Sequence, residues 1–208
     1  MHGSASLPTM DEVQQFCLRV LGAPEPAADA AARARAEGGD DRVALLRAAA
    51  RECREHAEHR NGGDPGADGG DEQQAGLSAA VARELAASTA RLPERQREAL
   101  ALRELLRLSY EQISQVMGIE QAAVAPLLAR ARLRLRAELR GGSADLLQDD
   151  CQERDRALRV LASRQDSEPL SAEDDRWVLA HMAGCRSCET AHAAMLEASV
   201  CYRAWRSE

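Results

Sequence analysis

The chain has 208 residues, enough for one large domain or two to three small ones, and only five of them are aromatic. A core must be built from Leu, Val and Ala, which favours packed helices over sheets, and all of its Lys/Arg-type charge is arginine. The net charge of −7 argues against wholesale coating of nucleic acid. With no signal peptide and no apolar run long enough to span a bilayer, a cytoplasmic location is expected, so the six cysteines are read as thiols or metal ligands rather than disulfides.

Residues 1–60 read as a helical domain. Val13, Phe16, Cys17, Val20 and Leu21 recur at helical spacing until a break at Pro24 and Pro26. A second periodic stretch runs from about Asp41 to His59, with Val43, Leu46, Ala50 and Cys53 on one face. Cys53, His56 and His59 stand at spacings of three and six along it, a poor chelate, and are read as ordinary core and surface residues. Residues 61–76, NGGDPGADGGDEQQAG, carry no apolar periodicity and predict a flexible linker.

Residues 77–140 are the only basic segment, with 11 Arg against 7 acids. Pro93 suits a helix start, and Ala99, Leu102, Leu105 and Leu106 form a stripe behind it. Ser109 and Gln112 make a capping box for a short helix burying Tyr110, Ile113, Val116 and Met117. Gly118 then frees the backbone for a tight turn, Ile119 plugs the junction, and Val124, Leu128, Ala131 and Leu135 continue the stripe. Two helices across a tight turn are the pattern of a helix-turn-helix, whose second helix is offered to the DNA major groove. The candidate DNA-contacting residues are Gln121, Ala122 and Ala125 near its start and Arg130, Arg132 and Arg134 along it. Arg130 and Arg134 lie on one flank of the stripe, and Arg132, Arg136 and Arg140 on the other. Pro126 implies that this helix either begins near Ala125 or is kinked.

After a break at Gly141–Gly142–Ser143, residues 141–208 form an acidic tail with 8 Arg against 13 acids. His181 and Cys185 share a helix face, and the two-residue spacer brings Cys188 to the same point. Three soft ligands at that spacing suit tetrahedral zinc, with Cys151, His192 and Cys201 as candidates for the fourth. The competing readings are unconnected thiols, or a redox CRSC motif, which lacks a strand-rich setting. The expected fold is therefore all-α: small helical domains joined by flexible linkers, including a helix-turn-helix and a zinc-stapled tail.

Leu92 to Leu139, with its LPERQREAL opening and LSYEQISQVMGI, resembles region 4 of extracytoplasmic-function sigma factors. FCLRVLGAPEPAADAAARA and the Val43–His59 helix resemble the start and end of a sigma region 2 domain. SAEDDRWVLAHMAGCRSC, preceded by an upstream Cys, resembles the zinc domain of anti-sigma factors, which implies Cys151, His181, Cys185 and Cys188 as the ligand set. The resemblance implies core RNA polymerase and −35-like promoter DNA as partners, with another sigma or anti-sigma factor as a further one. Two departures stand out. The family offers a Thr-Val-Lys-Ser-Arg type run to DNA where this chain has Ala123, Val124, Ala125, Pro126 and Leu127, which cannot hydrogen-bond base edges through their side chains. No aromatic lies between Cys17 and Tyr110, so the stacking platforms that hold unstacked bases are missing. No P-loop, G-x-S-x-G, H-E-x-x-H or dinucleotide fingerprint is present, and no enzyme is expected. The expected function is a sigma-like transcription regulator with a zinc-binding tail in cis. The alternative is an adaptor or antagonist that binds a sigma factor or the polymerase without reading DNA.

Overall fold

The computed structural model describes residues 9–39, 41–60, 77–141 and 151–205. The expected linker at 61–76 and the Gly142–Ser143 part of the second break lie outside them. Among the described residues the chain is all helix: α1 (Met10–Leu21), α2 (Pro24–Glu37), α3 (Arg42–Arg60), α4 (Leu77–Ala90), α5 (Glu94–Leu100), a π-helical turn (Ala101–Leu105), α6 (Tyr110–Met117), α7 (Gln121–Arg140), α8 (Arg154–Gln165), α9 (Ala172–Gly184) and α10 (Arg186–Ala204).

Local signals set most boundaries. Thr9 and Glu12 form a capping box at the start of α1, and Gly22 ends it with φ 75°. Pro24 and Pro26 mark a new helix rather than a loop: both sit in the first turn of α2, where a missing N–H costs nothing. That helix, read from sequence only as a break, buries Ala27, Ala30, Ala31 and Ala34. Alanine faces carry a weak hydrophobic period, which is why it was missed, yet they let backbones approach closely. Gly38 shows how closely, since a Cβ there would meet the Cα of Leu45 at 2.6 Å. The α1 stripe of Val13, Phe16, Cys17 and Val20 closes this three-helix piece with Leu46, Ala50 and Cys53.

The N-terminal piece rests on the central one. Arg42 donates to the Leu106 carbonyl at 3.2 Å, Arg47 to the Gln115 carbonyl at 2.9 Å, and Arg54 pairs with buried Glu98 at 2.8 Å. The helix α7 is the spine of the molecule: α4, α5 and α6 pack on it, and so do α8 and α10. One hydrophobic cluster joins side chains of all three pieces. By contrast α9 lies at the edge, burying only Asp174 and Val178.

Candidate nucleic-acid interface and metal centre

The helix-turn-helix forms as its residues dictate. Ser109 and Gln112 complete the capping box of α6, and Tyr110, Ile113, Val116 and Met117 face inward. Gly118, with φ 64°, makes the turn. From Glu120 the second helix, α7, runs continuously to Arg140 with Pro126 inside it. It therefore does not begin near Ala125, and the residue before Pro126 is already helical.

The candidate DNA-contacting residues separate into two groups. Gln121, Ala122, Arg130 and Arg134 are exposed on α7. Ala125 is 3% exposed and Arg132 fully buried, so the structure places these two in the interior. Ala125 follows Val124 into the core because the stripe is broad. Arg132 points inward because the tail covers its flank.

That covering is built from charge. Arg132 donates through Nε and Nη2 to Glu104 Oε1 at 2.9 and 2.6 Å, and through Nη1 and Nη2 to the two oxygens of Asp166 at 3.0 and 2.7 Å. Glu104 lies in the π-helical turn, where the Leu106 N–H reaches back to the Ala101 carbonyl at 3.2 Å. It also accepts from Ser199 at 2.7 Å and Arg203 at 2.6 Å, both on α10. Asp166 accepts from the Tyr110 hydroxyl at 2.7 Å and pairs with Arg103 at 3.3 Å. Glu168 accepts the Tyr110 backbone N–H at 3.1 Å, so a tail carboxylate caps the first helix of the helix-turn-helix. Between them Ser167 holds φ 57°, a left-handed conformation that turns both acids inward.

Burial pushes the carboxyls of Asp166 and Glu104 up, but both end below the ordinary carboxylate range. For Asp166, the hydrogen bonds and charge of Arg132 together with Tyr110 and Arg103 outweigh burial. For Glu104, the Arg132 charge and the hydrogen bonds from Ser199, Arg132 and Arg203 together outweigh it. Further out, Arg136 and Arg140 both reach Glu197 of α10, at 3.3 and 2.7 Å, and Arg130 approaches Asp155 at 3.7 Å.

The tail holds a second cluster. Cys151 precedes α8, His181 lies on α9, Cys185 joins α9 to α10, and Cys188 sits in the first turn of α10. Their ligand atoms all lie within 4.8 Å of one another. His181 Nε2 is 3.2 Å from Cys188 Sγ and 3.4 Å from Cys151 Sγ, and the Cys151 and Cys188 sulfurs are 3.6 Å apart. Zinc at about 2.3 Å from sulfur and about 2.0 Å from nitrogen spaces tetrahedral ligands by about 3.4–3.8 Å, so the donor set fits that ion. The Cys185 thiol is lowered mainly by the Cys188 backbone N–H, helped by Ser187, at the start of α10. Burial, then the neighbouring Cys151 and Cys185, raise the Cys188 thiol, a crowding of like charge that a dication relieves. Trp177 stacks on His181 with centroids 4.6 Å apart and fixes the ring. His192 and Cys201, the competitors for the fourth position, are not in the cluster. Cys53 and His56 are likewise outside it; Cys53 is buried and hydrogen-bonds with Cys17.

Sequence reasoning missed Glu104, Asp166, Ser199 and Arg203. They stand in three separate segments with no shared motif, and only an uncommon π-helical turn aims Glu104 at Arg132.

Residues 82–135 match the family Sigma-70, region 4. The matched stretch takes in most of α4, all of α5 and α6 and three quarters of α7, so the central piece is sigma-factor-like, of the class that binds DNA and regulates transcription. Comparison with curated proteins and with solved structures gives no match. No helix of the described residues is long and apolar enough to cross a membrane.

Proposed function

We propose that this chain is a sigma-like transcription regulator whose zinc-binding tail masks its own helix-turn-helix. Region 4 supplies the affinity for RNA polymerase and −35-like promoter DNA. The tail, folded around one zinc held by Cys151, His181, Cys185 and Cys188, lies along α7 and keeps it from those partners. Zinc supplies a structural cross-link there, joining the starts of α8 and α10 to the end of α9 in a piece too small to be stable by apolar burial alone.

The observation that carries this reading is Arg132. It is a cation on the second helix of a helix-turn-helix, 0% exposed, and half of its hydrogen bonds go to a tail carboxylate. A buried ionic contact suits an interface that opens, because both faces can be solvated once they part. Its complementary charges also guide redocking. Deleting residues 143–208 should increase binding of core RNA polymerase or of duplex DNA; unchanged binding removes masking from the account.

A second reading has one observation in its favour. At the start of α7 the exposed side chains are Gln121, Ala122 and Ala123, of which only Gln121 can hydrogen-bond a base edge. A helix so equipped suits an adaptor that holds a polymerase or sigma surface without reading sequence. In a form ending at Gly142, Leu127→Arg should then leave DNA affinity unchanged, whereas a DNA-facing helix gains affinity and a steeper salt dependence.

A further inference from the structure

The N-terminal piece lacks the aromatic side chains that capture unstacked bases, yet it makes one contact that spans the chain. Arg19 of α1 is 3% exposed. Its guanidinium lies 3.5 Å from the ring centroid of Trp205 and 5.4 Å from that of Tyr202, and Nη2 donates to the Trp205 carbonyl. The two rings meet edge to face with centroids 5.7 Å apart.

This is no ordinary ion pair. No carboxylate faces Arg19 among the described residues, and its Nε and Nη1, like the Tyr202 hydroxyl, are buried without a hydrogen-bond partner there. The contact depends on a flat cation against ring faces plus one carbonyl, a geometry that lysine reproduces badly. Meanwhile α1 packs on α5 and the π-helical turn, and α3 packs on α6, where Arg47 holds the Gln115 carbonyl, while its Arg42 and Arg54 reach the Leu106 carbonyl and Glu98 of α5. The far end of α10 is therefore fastened to a piece that is itself fastened to the helix-turn-helix. The middle of α10 is held separately, by Glu197 and Ser199, and its last turn is also tied to Glu104 by Arg203.

We infer that the N-terminal three-helix piece is an anchor for the tail: Arg19 clamps the last turn of α10, and losing that clamp lets the tail lift from α7 more often. Built on the masking reading, this gives the N-terminal piece a holding function instead of promoter melting.

Hydrogen exchange of the full zinc-loaded chain, followed by mass spectrometry, tests the clamp. Arg19→Ala and Trp205→Ala should each speed exchange about tenfold across α8 and α10, past Ser199 and Glu197, the size expected for loss of a buried cation–π contact. The double variant should be no faster than either single one, and Trp205→Phe should stay near the wild-type rate. Exchange that rises only around Cys201–Trp205 overturns the inference. If Arg19→Ala loses helicity or zinc, Trp205→Ala carries the test, since it leaves α1 unchanged. Binding of core RNA polymerase by the same samples separates the two ideas. Faster exchange with unchanged binding upholds the clamp and defeats masking, and wild-type exchange defeats the clamp whatever the binding.

Discussion

Replacing Arg132 with Met should unfold the protein far more readily while leaving the N-terminal half of α7 untouched. Glu104 and Asp166 have side chains at 0% and 1% exposure, and Arg132 gives each of them two hydrogen bonds. Removing one partner from a buried charge cluster costs about 3–5 kcal/mol, because the remaining charges stay buried and uncompensated. Arg103 and Arg203 remain beside the two acids and trim the loss towards about 3 kcal/mol. That is a large share of the roughly 5–15 kcal/mol by which a domain is stable. Arg140→Met, which loses only a half-exposed contact with Glu197, should cost less than about 1 kcal/mol. Urea denaturation followed by far-UV circular dichroism at pH 7 measures both. A loss below about 1 kcal/mol for Arg132→Met, accompanied by a fall in DNA affinity, would refute the reasoning. It would place Arg132 on DNA phosphates, as its position on the second helix first suggests.

The lowered pKa of Asp166 and Glu104 fixes the sign of an acid dependence. Their stabilisation is complete above the unfolded carboxylate range and is lost as pH falls through the folded values, so urea midpoints should drop below about pH 4, and less so in Asp166→Asn. Glu98 works in the opposite sense. Burial raises its carboxyl despite Arg54, so its contribution is present at low pH and fades as pH rises through the folded value. Glu98→Gln should accordingly gain on wild type as pH rises above the ordinary carboxylate range in the same assay. The chain purified with zinc should hold one ion per molecule by plasma mass spectrometry, and Cys188→Ser should lose it together with helicity in the tail; retained stoichiometric zinc would contradict the ligand set. Pro126→Ala should raise stability by about 1–3 kcal/mol, since a proline in the sixth helical position leaves the Ala122 carbonyl without its N–H partner.

The helix-turn-helix was legible because its signals are local. A capping box, a left-handed glycine and a 3.6-residue stripe each act within a few residues, and Ser109, Gly118 and Val124 stand where those rules put them. The metal cluster was legible through spacing for His181, Cys185 and Cys188. Cys151 came only from resemblance, because it is separated from the others by α8. What stayed hidden was everything made by pieces meeting. The alanine face of α2 carries too little hydrophobic contrast to show a period. Arg132 looks in sequence like its neighbours Arg130 and Arg134, and only the approach of α8 and α10 makes it a buried hub. Arg19 and Trp205 are 186 residues apart, and no sequence rule joins them.

The central claim is that a promoter-binding helix-turn-helix is covered by the chain's own tail. Chromatin immunoprecipitation of the tagged full chain and of a form ending at Gly142, across the same genome, tests it most directly. Masking predicts sharp peaks just upstream of transcription starts, sharing a −35-like sequence and several-fold higher for the shortened form. A flat profile for both, with each protein present and folded, would contradict it and leave the adaptor reading in its place.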